Sequence, residues 1–227
     1  MSKRSKRYKR AAEKLPEKTA LSLEDAIDTL KKFDSPKFDE TVELCVKLGI
    51  DTKQANQGVR GAFSLPHGIG KSVKVICFAE GAVADEAREA GASEVGSEDL
   101  AKRVQDGWLD FDVAVAHPSM MRHVGKLGRI LGPHGKMPTP KAGTVTEDIG
   151  TVVKEFVAGK IEYRNDDTGN LHVVVGKKSF DKGNLIDNVR AFLDHLPSVK
   201  PMTSKGAFIV RVSLSTTMGP GVPVKLS

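Results

Sequence analysis

Apolar and polar residues alternate most clearly between Thr41 and Ile50. Val42, Leu44, Val46, Leu48 and Ile50 take every second position, which predicts a half-buried strand. Upstream the spacing changes. Leu23, Ala26, Ile27, Leu30 and Phe33 recur at helical intervals behind Ser22, with Glu24 and Asp25 in the first turn, so a capped helix is expected. Turn-like residues 51–58 lead to a second strand over 59–66, and PHGIGK at 66–71 reads as a hinge or boundary.

Beyond that boundary the texture differs. KVICFA and FDVAVA are short, continuously apolar runs of the buried-strand type. Between and after them come helical segments near 84–90, over 97–107 with Ser97 as cap and Gly107 as stop, and over 118–131 with Pro118 in the first turn. A further helix runs over 146–159, with Thr146 as cap and Gly159 at its end. Strands alternating with helices predict a small parallel α/β domain. After Gly159 the pattern turns antiparallel. KIEYRND, a DTG turn and NLHVVVG read as a hairpin, followed by a helix over 184–196. The last long strand, 205–217, puts Phe208, Val210, Val212 and Leu214 on one face and Arg211, Ser213 and Ser215 on the other. The economical arrangement is a discontinuous α+β domain built from 1–67 and 160–227, with an α/β domain inserted at 68–159.

Charge adds a direction to this outline. The chain carries 35 Lys and Arg against 29 Asp and Glu. Residues 1–20 alone hold eight bases and two acids, so the remainder sums to zero. That remainder is uneven: ten acids and three bases from Glu80 to Asp112, five bases and no acid from Val113 to Thr146, four bases and no acid after Asp194. Three basic-rich stretches, two of them free of acids, fit a protein that binds a polyanion. The N-terminal run by itself reads equally as a nucleic-acid arm or as a solvated tail. Cys45 and Cys77 are the only cysteines and form no CxxC, which argues against a disulfide framework or zinc cluster and for a reducing compartment. No run approaches the ~18 apolar residues of a membrane span. The charged N-terminus precedes no apolar stretch, so no secretory signal is expected.

Enzymatic motifs fail on inspection. GKS at 70–72 would need glycine where Leu65 stands, and it precedes a strand rather than opening a helix. The glycines at 125, 128 and 132 do not make a dinucleotide fingerprint. None of the six histidines has metal-ligand spacing, and no cofactor is expected. A small α/β enzyme using the middle domain stands as the competing reading, and a cleft with perturbed acids or histidines would favour it. Three segments suit nucleic acid instead. GRILGPHGKMPTPKAG (128–143) has four glycines, three prolines, Arg129, Lys136, Lys141 and His134, and no acid: a basic loop suited to phosphates. TTMGPG (216–221) offers hydroxyls, a soft apolar side chain and a glycine, suited to ribose and base edges, although an ordinary strand end would look alike. In KFDETV (37–42), Lys37 can reach a phosphate and Phe38 can stack, although a strand-entry loop would look the same.

KFDETVELCVKLGID, VRGAFSLPHGIGK, DGWLDFD, LGRILGPHGKMPTPKAGTV, GKIEYRND and STTMGPG, in that order from about residue 8 to 222, together resemble the bacterial form of the L-one family, the first-numbered protein of the large ribosomal subunit. The resemblance implies a discontinuous α+β domain with an inserted Rossmann-like three-layer α/β domain, joined by a hinge. It implies a cytoplasmic, non-enzymatic protein, monomeric when free. Its partners would be large-subunit ribosomal RNA at the mobile stalk, transfer RNA at the exit site, and its own operon messenger RNA, which it would repress. By motif, the RNA-facing residues would be Lys37, Phe38 and Thr41; Arg164, Thr168 and His172; and Arg211, Ser213, Thr216, Thr217, Met218 and Gly219. Arg129, Lys136 and Lys141 would form a secondary basic loop. Three positions depart from the family's usual pattern. Asp167 stands where DKTG has lysine, His134 and Lys136 stand where Arg and Leu or Met are usual, and Arg211 adds a cation to a hydroxyl-rich strand.

Overall fold

A computed structural model describes residues 4–15 and 20–225. Lys3 and Lys18 of the basic run lie outside the described residues. In chain order the elements are α1 (Lys6–Glu13), α2 (Leu23–Lys31), β1 (Thr41–Leu48), β2 (Arg60–Ser64), β3 (Val75–Phe78), α3 (Ala82–Glu89), β4 (Glu94–Gly96), α4 (Glu98–Gln105), β5 (Val113–Ala116), α5 (Met121–Val124), α6 (Gly128–Leu131), α7 (Ile149–Val157), β6 (Lys160–Arg164), β7 (Asn170–Lys177), α8 (Lys182–His195), β8 (Ile209–Thr216) and β9 (Val222–Val224). They make a mixed α/β structure with three sheets. The chain divides into an outer unit, Met1–Arg60, Leu65–Gly70 and Tyr163–Ser227, and an inner unit, Gly61–Ser64 and Lys71–Glu162.

The outer unit is built on an antiparallel sheet in the order β7-β1-β8-β9. Along β1 the burial alternates strictly, with Val42, Leu44, Val46 and Leu48 inside. Leu171, Val173 and Val175 of β7, Val212 and Leu214 of β8, and Val222 and Val224 of β9 join them. Helix α2 packs on β8 and β9, and α8 packs on β7 and on α2. Ser22 caps α2 as expected: its Oγ accepts from Asp25 N at 3.1 Å. The inner unit has a parallel sheet, β4-β3-β5, whose β3 is buried at every position. Ile76, Phe78, Ala114 and Ala116 pack towards α4 and α5 on one side. Val75, Cys77 and Val115 pack towards α3 and α7 on the other.

Several local expectations are corrected. KIEYRND and NLHVVVG do not form a hairpin. β6 pairs with β2 and β7 pairs with β1, and the two segments meet only at the turn itself, through the bridge Asn165↔Leu171 and the bonds between Asp166 and Asn170. The cause lies at Asn165: its N–H donates to Val59 O at 3.0 Å and its Oδ1 accepts from Val59 N at 2.7 Å, continuing the partnership with the second strand. The cap of α7 is Asp148, whose Oδ1 accepts from Thr151 N at 3.2 Å, while Thr146 Oγ1 only accepts from Asp148 N. Ser97 stands at the α4 cap position without a side-chain cap bond. The helix expected over 118–131 breaks into α5, α6 and short 3-10 turns, because Gly125 and Gly128 weaken the i→i−4 ladder. On β8 the apolar alternation fails at Val210, which is exposed: the register shifts where Lys47↔Arg211 gives way to Leu48↔Ile209, and the extra residue is turned outward.

Candidate nucleic-acid interface

The period of two that buries one face of the outer sheet leaves the other face polar. Register puts its residues in rows. His172, Cys45 and Ser213 lie side by side across β7, β1 and β8, with Val174, Glu43 and Ser215 on one side and Asn170, Lys47 and Arg211 on the other. His172 and Arg211 are exposed, and Cys45, Lys47 and Ser213 are half-buried. Burial pushes the Cys45 thiol up, partly offset by its hydrogen bond with Ser213.

At one end of this face two segments about 180 residues apart are stitched together. Thr41 N donates to Thr217 Oγ1 at 3.0 Å, and Thr217 N donates to Thr41 O at 3.1 Å. Lys177 Nζ donates to Thr41 Oγ1 at 2.9 Å. Beneath them Glu40 is 2% exposed. Its Oε1 accepts from Met218 N at 3.0 Å and from Thr216 Oγ1 at 3.3 Å, and Lys178 Nζ stands 3.7 Å from its Oε2. A buried carboxylate satisfied by these donors fixes the path of the strand end. The result is an outward-facing edge on which Phe38 and Met218 are 51% and 50% exposed, beside exposed Lys37 and Thr217.

At the other end the DDTG turn is organised by Asp166. Its carboxylate accepts from Asn170 N at 2.7 Å, Thr168 N at 2.9 Å and Thr168 Oγ1 at 2.8 Å. These donors, Asn170 N–H foremost, hold it well below the usual carboxylate range. Thr168 is exposed, and its carbonyl accepts from Lys47 Nζ, which ties the turn to the row that holds Arg211. His172 Nε2 is 3.9 Å from Asp166 Oδ2.

Residues 30–220 match the model of the ribosomal protein L1p/L10e family. The chain belongs to this family. Among curated relatives, the "Large ribosomal subunit protein uL1" of Kosmotoga olearia is 52% identical over 222 residues, covering 98% of this chain and 96% of the relative. The proteins of the same name from Thermosipho melanesiensis and Thermosipho africanus are 51% and 52% identical over 225 residues, covering 99% of this chain and 97% of theirs. These relatives are ribosomal proteins and not enzymes, which sets the α/β-enzyme reading aside. Among the described residues no helix is long and apolar enough to cross a membrane, and no group of three or more His, Cys, Asp or Glu could hold a metal.

The structure therefore brings Lys37, Phe38, Thr41, Thr217, Met218 and Gly219 to one end of a single sheet, and His172, Ser213, Arg211 and Thr168 along its open face and far turn. Three of the expected residues, Thr216, Gly219 and Arg164, do not stand outward on this face. Thr216 is 4% exposed, because its strand parity turns it to the core side, and its hydroxyl serves Glu40. Gly219 is required from within: a Cβ there would stand 2.3 Å from Thr216 Oγ1. Arg164 is exposed on β6, outside the four-stranded sheet.

The secondary loop belongs to the inner unit. Arg129 and Lys141 are exposed, but Lys136 is not a free cation. Its Nζ donates to Leu109 O at 3.0 Å and Phe111 O at 2.5 Å and lies 4.9 Å from the centre of the Phe111 ring. Sequence reasoning missed Glu40, Lys47, Cys45 and Lys177. The alternation along β1 already placed Cys45 and Lys47 on the polar face. Glu40 carried no such signal, since an acid next to another acid, Asp39, in a strand-entry loop discloses nothing of its burial.

Proposed function

We propose that this chain is a structural constituent of the large ribosomal subunit that binds large-subunit ribosomal RNA directly, through the open face and stitched end of the outer sheet. Thr41 and Thr217 present hydroxyls suited to ribose 2′-hydroxyls, Phe38 and Met218 present apolar surface to bases, and Lys37, Lys177 and Arg211 meet phosphates. The binding site is the mobile stalk beside the transfer-RNA exit site, where the protein assists release of deacylated transfer RNA. A messenger segment that imitates the ribosomal site would occupy the same face, so that the protein represses translation of its own operon. In this reading the residues 1–67 and 160–227 act as the RNA-binding domain. The residues 68–159, with a parallel sheet packed on both sides by helices, act as an inserted Rossmann-like domain.

The observation that carries the reading is the joining of KFDETV to STTMG through Glu40 and Thr41. Two distant motifs that each look like an ordinary loop become one edge, with apolar and hydroxyl groups outward, Glu40 buried beneath, and the exposed Asp39 accepting from the N–H and hydroxyl of Ser179. Filter binding tests it. A fragment of large-subunit ribosomal RNA should bind more tightly than an arbitrary duplex, with log affinity falling linearly in log salt. Equal affinity for the two RNAs at every salt concentration would refute the reading.

A further inference from the structure

The N-terminal basic run, ambiguous as sequence, is in the structure a helix with two distinct faces. Ser5 caps α1, its Oγ accepting from Tyr8 N at 3.2 Å. Arg7, Ala11 and Lys14 succeed one another at spacings of four and three and so share a face. Ala11 is buried and Arg7 half-buried, and Lys14 Nζ donates to Lys32 O at 3.0 Å and lies 3.4 Å from Asp34 Oδ1. That face is docked, and its last residue supplies a cation to the C-terminal end of α2, where orphan carbonyls favour one. Lys6 and Lys9 lie on the other side and Arg10 on its flank, three residues on from Arg7. All three are exposed, and none makes a side-chain hydrogen bond or ion pair among the described residues.

The docking point is next to the proposed RNA-binding edge. Lys32 is followed by Phe33, which is buried and packs 3.4 Å from where a Cβ on Gly219 would stand. Phe33 O accepts from Lys178 Nζ at 2.6 Å, and the same Lys178 faces Glu40. The segment that continues from Phe33 carries Lys37 and Phe38. Helix α1 thus shares an anchor with the strand end that presents Met218.

Like charges at i,i+3 and i,i+4 destabilise a helix, and an eight-residue helix is marginal alone. Lys6 faces both Lys9 and Arg10 at these spacings, and the exposed Glu13, four residues on from Lys9 and three from Arg10, offsets only part of that repulsion. A polyphosphate backbone would relieve that repulsion. We propose that α1 is a second RNA-contacting element, whose Lys6, Lys9 and Arg10 bind backbone phosphates of the RNA held at the strand end. The proposal rests on the RNA-binding reading above and extends it to residues outside the 30–220 span that matches the family. The exposed face has no aromatic side chain, and Tyr8 is covered by the Arg4 guanidinium 4.5 Å from its ring centre. The contact is therefore one of charge and carries no base preference.

The test is the full-length triple variant Lys6→Gln, Lys9→Gln, Arg10→Gln, which leaves Arg7, Ala11 and Lys14 in place. A control removes two exposed charges of the inner unit, Lys102→Gln and Lys154→Gln. Both are measured against a large-subunit ribosomal RNA fragment and an arbitrary duplex across a salt series, with circular dichroism to verify the fold. The triple variant should lose affinity for both RNAs, on the order of 10- to 100-fold near 0.1 M salt, and its log–log slope should become shallower by about 2–3. The ratio of the two affinities should not change, and the control should keep the wild-type slope. Unchanged slope and affinity would overturn the proposal. So would an equal loss in the control. Failure of the underlying reading looks different: the wild-type protein itself would then show no preference for the ribosomal fragment.

Discussion

The two larger sheets use their faces in opposite ways. In the inner unit every residue of β3 is buried, and separate clusters pack against its two sides. In the outer unit β1 alternates between core and open face at each step. A sheet covered by helices on both sides leaves only its ends and loops for binding. A sheet covered on one side keeps a whole face of evenly spaced side chains available, which suits an extended ligand such as RNA. The loops repeat the lesson. Both 128–143 and 216–221 look like places for a nucleic acid. In the first, Lys136 is drawn inward onto two carbonyls and an aromatic ring. In the second, the inward bonds of Glu40 hold Met218 outward.

The strongest test of this contrast is Met218→Asp. At half exposure the new carboxylate costs the fold little, but in a complex it is desolvated beside phosphates. Specific RNA affinity should fall by about 100-fold or more, with an unchanged circular dichroism spectrum. A folded variant with wild-type affinity would remove the strand end from the interface. Glu40→Ala comes next and opposes two effects of different sign. Deleting an acid near a polyanion should strengthen RNA binding if only charge mattered. Because Met218 N–H and the Thr216 hydroxyl lose a buried acceptor, we expect a loss of about 2–4 kcal/mol in unfolding free energy, read by urea denaturation. RNA affinity should weaken as the strand end loosens, and a tighter-binding variant would show that Glu40 does not organise the edge.

Lys136→Met examines the inner loop. Removing two charge-assisted hydrogen bonds to carbonyls should destabilise the protein by about 1–2 kcal/mol, while RNA affinity stays within about twofold. A large affinity loss with unchanged stability would restore Lys136 to the interface. The cysteines, one in each of the two larger sheets, give the smallest effect. Burial pushes the Cys77 thiol up from 9.0 to about 12, whereas Cys45 is half-buried on the open face. A thiol-directed disulfide reagent at pH 8 should modify Cys45 alone in the native protein, and bound RNA should slow it. The unfolded thiol ionises near its ordinary value while native Cys77 stays protonated. Its contribution to stability is therefore fully present below pH 9 and is lost as pH rises from 9 towards 12. Rapid modification of Cys77 in the folded protein would contradict its place between two helical layers.

Much of this molecule was legible in periodicity. The alternation over 41–48, the spacing behind Ser22 and the continuous apolar runs at 74–79 and 111–116 each correspond to an element seen in the structure. Such patterns are local: a period of two or 3.6 states which side of an element is buried, and the order of elements states the class of sheet. The family motifs also named two segments that the structure joins at one end of the outer sheet. What remained hidden depends on partners far away in the chain. β6 chose β2 over β7 through Asn165 and Val59, so an apparent hairpin opened. Val210 left its face because β8 carries one extra residue opposite Lys47 and Leu48 of β1.

The division has one physical cause. Burial periodicity and capping are decided by residues within a turn or two of each other, so the chain alone determined helix α2, the alternation of β1, the buried runs of β3 and β5 and the basic stretches. Whether a given polar side chain faces solvent is decided by who else reaches it. Lys136 went inward because two carbonyls lay open, and Lys14, still exposed, turned to α2 because that helix ended beside it. Each of those partners is at least 18 residues away in the chain, and only the packed molecule could say that Lys6, Lys9 and Arg10 would be left facing out.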